Sequence, residues 1–188
     1  MKRLRVNDIF YSLQGEGYNA GRAAAFVRFA GCNLRCPFCD TEFESFSEMT
    51  ADDILKSIVA YPTRFVVLTG GEPTLQVDEA FVDFLHQHGY EVAMESNGTC
   101  RAPGNLDWLT VSPKCEGQQK HCNELKVIFT SPQSVSDFGI EADIRSLQPC
   151  DTGDTVRNAQ ILSDCICYIK QHPQWRLSLQ MHKLIGIK

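Results

Sequence analysis

The 188-residue chain is 43% hydrophobic and 22% charged, a balance that suits one soluble globular domain with a real core and is short for two. Its net charge of −5 argues against general attraction to nucleic acid or anionic membrane, though local basic groups can still hold a small anionic ligand. The opening run MKRLRVNDIFYSLQGEG meets polar residues and glycines after only a brief apolar stretch, so neither a signal peptide nor a membrane span is expected, and the expected setting is the cytoplasm.

In chain order, VNDIFYS and AAFVRFA read as strands. A helix is expected from Thr50, whose side chain can cap the amides of 51–53, with Ile54, Leu55, Ile58 and Val59 sharing a face. FVVLT is the next strand. A second helix covers Val77, Phe81, Val82, Phe84 and Leu85 and stops at Gly89. YEVAME, LTVS, LKVIF and DIRSLQ follow as strands, then a helix near Val156 to His172 halted by Pro173, and WRLSLQM as a last strand.

This alternation predicts an α/β fold of βα units around a mostly parallel sheet. With no repeat, low-complexity tract or linker, residues 1–188 read as a single domain. The turns GGEP, SNG, PK and PCD follow predicted strands, and in such folds these turns gather at the carboxyl ends of the strands, where ligands bind. The length allows fewer than eight complete units.

Nine cysteines, odd in number and unevenly placed, favour metal or redox chemistry over a disulfide framework. Cys100, Cys115, Cys122, Cys150, Cys165 and Cys167 are scattered, and most read as small buried residues or bystanders. Cys32, Cys36 and Cys39 are different: they stand in Cys-x3-Cys-x2-Cys spacing within GCNLRCPFCDT. Soft thiolates select zinc, copper(I) or iron-sulfur clusters. A structural zinc site would need a fourth ligand, for which His121, Cys115 and Cys122 are the alternatives. A 4Fe-4S cluster on three cysteines instead leaves one iron open for chemistry.

The trio, with GGEP at Gly70 to Pro73, resembles the radical S-adenosylmethionine (radical SAM) superfamily. Outside these motifs, YSLQGEG, AFVRFAGCNLRCPFCDT, TGGEPTLQ, ESNG, VSPK, NELKVI, LQP and HPQWRLSLQMHKLIGI are similar to the 7-carboxy-7-deazaguanine synthase family, from about Tyr11 to Ile187. That resemblance implies an abbreviated, partial βα barrel of the radical SAM type, with residues 174–188 closing the site. It implies a radical SAM carbon–nitrogen lyase acting in queuosine and deazapurine biosynthesis. Its substrate would be 6-carboxy-5,6,7,8-tetrahydropterin, converted to 7-carboxy-7-deazaguanine by hydrogen abstraction at C6 and ring contraction with loss of ammonia. The implied cofactors are the 4Fe-4S cluster, SAM and Mg2+. A homodimer and a flavodoxin or ferredoxin electron donor are the implied partners. Some members of the family carry a long insertion in the cluster spacing; this chain has the short form.

Carried over motif by motif, the resemblance places SAM against Phe38, Cys39, Asp40, Gly71, Glu95, Ser112, Pro113, Lys114 and Gln148, with Pro113 shaping a turn rather than touching ligand. It places the pterin against Leu13, Gln14, Gly15, Glu16, Arg28, Thr69, His182 and the carboxylate of Lys188. Gln14 can pair with an amide-like ring edge, Glu16 can accept from aminopyrimidine N–H groups, and Arg28 can grip a carboxylate in a fork. Thr41 is implied to hold magnesium together with the substrate carboxylate. Without the resemblance, LQGEG reads as a surface turn, Arg28 as an ordinary strand charge and Glu95 as a solvated strand end. Two further readings remain: another small radical SAM enzyme, such as an activase that installs a glycyl radical, and a non-catalytic metal module in which the trio staples a loop.

Overall fold

The computed structural model describes residues 2–39, 42 and 44–188. Two strands, β1 (Leu4–Leu13) and β2 (Ala23–Phe29), form an antiparallel hairpin, because residues 14–22 are too few for the crossover a parallel pair would need. A short strand absent from the sequence reading, β3 (Ser47–Met49), adds antiparallel to the other side of β1. Helix α1 (Ala51–Ile58) starts at Thr50, which accepts from the Asp53 amide while Asp53 accepts from the Thr50 amide, a full capping box. Ile54 and Ile58 are fully buried, but Val59 is exposed at the C-cap, where the helix ends and its face turns outward.

After β4 (Phe65–Gly70), helix α2 (Glu79–Gln87) is capped by Asp78 and followed by Gly89 in a left-handed conformation. Val77 precedes the helix rather than belonging to it, and is nonetheless buried. Strands β5 (Glu91–Ser96), β6 (Trp108–Val111), β7 (His121–Phe129) and β8 (Glu141–Pro149) lead to α3 (Thr155–Gln171), which stops just before Pro173. The segment 175–181 is a strand only at β9 (Arg176–Leu177), and α4 (Met181–Ile185) follows. The chain leaves the sheet there because the Met181 amide is taken by the Gly15 carbonyl across the sheet opening.

Among the described residues the strands form one nine-stranded sheet, order β3-β1-β2-β4-β5-β6-β7-β8-β9. Every pair from β2 to β9 is parallel, and the sheet stays open, as a partial barrel. Side chains alternate between the two faces. Val27, Phe29, Val66, Leu68, Val92, Met94, Leu125 and Val127 join the main core, which also holds Ile54 of α1, Phe81 of α2 and Ile161 of α3. The alternate positions Ala24, Phe26, Phe65, Val67 and Ala93 join Phe10 in a second, smaller apolar cluster. Continuing each strand by two residues on that face gives Arg28, Thr69 and Glu95. An apolar floor thus leads directly to polar groups at the carboxyl ends of the strands.

Candidate active site

One cavity of about 310 Å3 lies at those strand ends. Among its lining residues are Cys32, Cys36 and Cys39, and also Arg28, Glu95 and Lys126.

The cysteine loop is held by backbone contact with GGEP. The Gly71 amide donates to Phe29 O at 2.9 Å and the Glu72 amide to Gly31 O at 2.9 Å. A Cβ on Gly71 would run into the Gly31 carbonyl, so glycine is what permits this approach. Glu72 is fully buried and accepts from Ser96 Oγ at 2.8 Å, the Asn97 amide at 2.7 Å and Thr74 Oγ1 at 2.7 Å. Asn97 Nδ2 in turn reaches Asn33 Oδ1 at 3.0 Å. The motif glutamate therefore ties the ESNG turn to the loop that carries the thiols, a role the sequence reading did not assign.

None of the three cysteines is in a disulfide, and the Cys36 thiol has Cys32, Cys39 and Cys115 for neighbours. Among the described residues no three His, Cys, Asp or Glu converge tightly enough for a single metal ion. Three thiolates on one short loop suit a 4Fe-4S cluster, which would take one cysteine on each of three irons and leave the fourth open. Of the three candidate fourth ligands for zinc, Cys115 is near Cys36, and the other two fail on position. His121 and Cys122 begin β7, at the opposite end of the strand from the site, and line a separate cleft with Asn123 and Glu141. Burial pushes the Cys122 thiol up to about 12, which suits a bystander.

The end of β1 and the turn after it contribute Leu13, Gln14, Gly15 and Glu16 to the lining. Arg28 and Thr69 are register partners on β2 and β4, and the Arg28 guanidinium stands 5.1 Å from the Phe10 ring. His182 on α4 packs so closely over Gly15 that a Cβ there would strike its imidazole. Lys188 places its carbonyl on Ser12 Oγ at 2.6 Å and its ammonium on Asp8 at 2.5 Å, at the edge of the cavity.

Lys114 folds back on Ser112, donating to its carbonyl at 2.7 Å and to Oγ at 2.6 Å. Burial, and then repulsion from Lys126, lower its ammonium to about 8. Pro113 between them is buried, in the turn after β6. Phe38 lines the cavity below Lys114, and Gln148 reaches Glu16 Oε1 at 3.2 Å. Asp40 and Thr41 lie outside the described residues.

The sequence reading missed Lys126, Gln180, Asn97 and the pair Lys183–Asp151, all at the cavity. Cys150 also lines it and is buried, with its thiol raised by burial. For Lys126 a signal existed: NELKVI puts Glu124 and Lys126 two apart in a strand, hence on one face, between apolar neighbours that are core.

Three thiols on a loop beside a glycine-rich turn, at the carboxyl end of an open, mostly parallel sheet, define a radical SAM protein, and a model of the radical SAM superfamily matches residues 26–115. The chain is 45% identical over 188 residues to the 7-carboxy-7-deazaguanine synthase of Bacteroides thetaiotaomicron, covering 98% of each protein. It is 42% identical to that of Bradyrhizobium diazoefficiens, covering 97% of this chain and 98% of the relative. The crystal structure of QueE from Escherichia coli superposes with a TM-score of 0.74 at 26% identity, over 96% of this chain and 95% of that one. The chain belongs to the 7-carboxy-7-deazaguanine synthase family.

Proposed function

We propose that this chain is a radical SAM carbon–nitrogen lyase that contracts the ring of 6-carboxy-5,6,7,8-tetrahydropterin to 7-carboxy-7-deazaguanine with loss of ammonia, in queuosine and deazapurine biosynthesis. The observation that carries the reading is the meeting, in one cavity, of the cysteine trio with Gln14, Glu16 and Arg28, groups matched to a carboxylated aminopyrimidine ring.

Cys32, Cys36 and Cys39 hold the 4Fe-4S cluster, which with SAM supplies hydrogen-atom abstraction at the pterin C6. Phe38, Asp40, Gly71, Glu95, Ser112, Lys114 and Gln148 hold SAM. Arg28 grips the substrate carboxylate, Gln14 and Glu16 orient the aminopyrimidine edge, and Leu13, Gly15, Thr69, His182 and Lys188 complete the enclosure. Thr41 joins a magnesium ion to the same carboxylate. The chain works as a single domain, and 174–188 exclude water by covering the site. Its homodimeric state and its flavodoxin or ferredoxin donor rest on the family resemblance, and its cytoplasmic setting on the composition of the run MKRLRVNDIFYSLQGEG. No helix among the described residues is long and apolar enough to cross a membrane.

The test is an anaerobic assay of the reconstituted protein with SAM, reductant, magnesium and 6-carboxy-5,6,7,8-tetrahydropterin, read by mass spectrometry. 7-Carboxy-7-deazaguanine is expected, and is lost in Cys36→Ala. If 5′-deoxyadenosine forms without that product, the substrate is wrong and the radical SAM assignment stands. Magnesium is expected to raise turnover, and Thr41→Ala to blunt the response; an equal response in the variant rejects that residue.

A further inference from the structure

Lys126 is 2% exposed and sits between the two ligand sides of the cavity. Its ammonium donates to Glu16 Oε2 at 2.5 Å and to Glu95 Oε2 at 2.8 Å. Gln14 Nε2 donates to Glu95 Oε1 at 2.7 Å, and the Glu16 amide reaches back to Gln14 Oε1 at 3.4 Å. These contacts close a ring: Lys126, Glu16, Gln14, Glu95. The other oxygen of Glu16 accepts from Gln180 at 3.0 Å and Gln148 at 3.2 Å.

A buried ammonium is costly and is retained only when its donors are matched. Here one ammonium serves two carboxylates. Remove it, and two like charges remain close together in a poorly hydrated cavity, so one must take up a proton. The titratable groups facing Glu16 are Lys126 on β7, His182 on α4, Lys114 after β6 and Glu95 on β5. Burial alone would raise the Glu16 carboxyl; Lys126, by charge and hydrogen bond, is the largest of the groups that reverse this, and with Gln180 and His182 it brings the carboxyl to about 2.

We infer that Lys126 is a positioning residue of this site: it fixes the separation of Glu16 from Glu95 and keeps Glu16 a pure acceptor for the N–H donors of the pterin edge. The inference rests on the assignment of Glu16 to the pterin and Glu95 to SAM. Lys126 touches neither ligand in this scheme. It makes the two sides one rigid unit, so that the pterin and SAM are presented at a set distance.

The experiment uses cluster-reconstituted protein in wild-type, Lys126→Met and Lys126→Arg forms. Two readouts are taken: titration of the Glu16 carboxyl by carbon-13 NMR without ligand, and affinity for 6-carboxy-5,6,7,8-tetrahydropterin at pH 5.5 and 8. In Lys126→Met the Glu16 carboxyl is expected to titrate above its ordinary range. The variant's loss of pterin affinity relative to wild type is expected to be about tenfold larger at pH 5.5 than at pH 8, the effect of a carboxyl that titrates about one unit above the lower pH. Lys126→Arg, which keeps the charge, is expected to follow the wild-type pH profile. An unchanged Glu16 titration in Lys126→Met, or an equal affinity loss at both pH values, overturns the inference. Should Lys126→Met fail to fold, Lys126→Met with Glu16→Gln relieves the leftover charge; this form is expected to bind pterin weakly, and binding as tight as wild type overturns the inference. If wild type binds no pterin while the Glu16 titration still shifts in Lys126→Met, the substrate assignment falls and the role of Lys126 stands.

Discussion

The Glu72 carboxylate accepts the Asn97 amide at 2.7 Å from a fully buried position, so the GGEP turn and the ESNG turn are locked together beneath the cysteine loop. Ser96 and Thr74 fill its remaining acceptor positions. Glu72→Gln keeps the volume but turns one acceptor into a donor facing donors. The expected cost is about 1–3 kcal/mol, the desolvation penalty of a buried polar group left unmatched. Denaturant unfolding measures it, and iron uptake on reconstitution is expected to fall as the loop loosens. A variant with wild-type stability and iron content would show that the turns hold without this carboxylate.

Acid stability follows from Glu16. Its folded carboxyl lies at about 2, below the ordinary 4.5, so its contribution is fully present above pH 4.5 and is lost as pH falls from there towards 2. The contribution is on the order of 3 kcal/mol. Urea midpoints measured between pH 5 and 3 are expected to drop in wild type and to drop less in Glu16→Gln. Parallel curves for the two proteins would contradict this.

The cysteines divide by place. Cys32→Ala, Cys36→Ala and Cys39→Ala are each expected to abolish cluster absorbance on reconstitution, while Cys115→Ser and Cys167→Ser, both exposed, keep it. Cys165 is fully buried on α3 with its thiol raised to about 11 by burial. Cys165→Ala is expected to leave the cluster intact and cost roughly 1 kcal/mol of packing. Loss of the cluster in Cys115→Ser would make that residue a ligand.

Gly15 and His182 form a steric pair. Gly15→Ala is expected to push the imidazole and α4 away from the cavity and weaken pterin binding by about tenfold, or roughly 1.4 kcal/mol. The double variant Gly15→Ala with His182→Ala, in which the obstacle is gone, is expected to lose less affinity than the sum of the two single losses, the mark of residues in contact. Strict additivity in titration calorimetry would deny the contact.

Local signals made much of this legible in the sequence. Thr50 marks a helix start, Gly89 a helix end, and the short apolar runs Val66 to Leu68 and Val92 to Met94 mark strands. The cysteine trio and GGEP announce the site by spacing alone. What stayed hidden depends on partners far along the chain. Lys126 looks like a strand charge until Glu16 and Glu95 are beside it. The segment WRLSLQM looks like a strand by composition, yet leaves the sheet after Leu177 because Gly15 and Glu16 offer better partners to Met181 and Gln180. Leu4 to Leu13 gives no hint of its antiparallel pairing, which the short span 14–22 decides.

The two halves of the site differ in how much chain they require. The thiols lie within eight residues of one another, on a loop whose support from Gly71 and Asn97 is complete by the middle of the sequence. Glu16, by contrast, finds its partners 110, 132 and 164 residues away, at Lys126, Gln148 and Gln180. Contacts of such long range carry a larger loop-closure cost. The sulfur ligands are thus supported by about the first half of the chain alone, whereas the pocket for substrate draws on nearly its whole length.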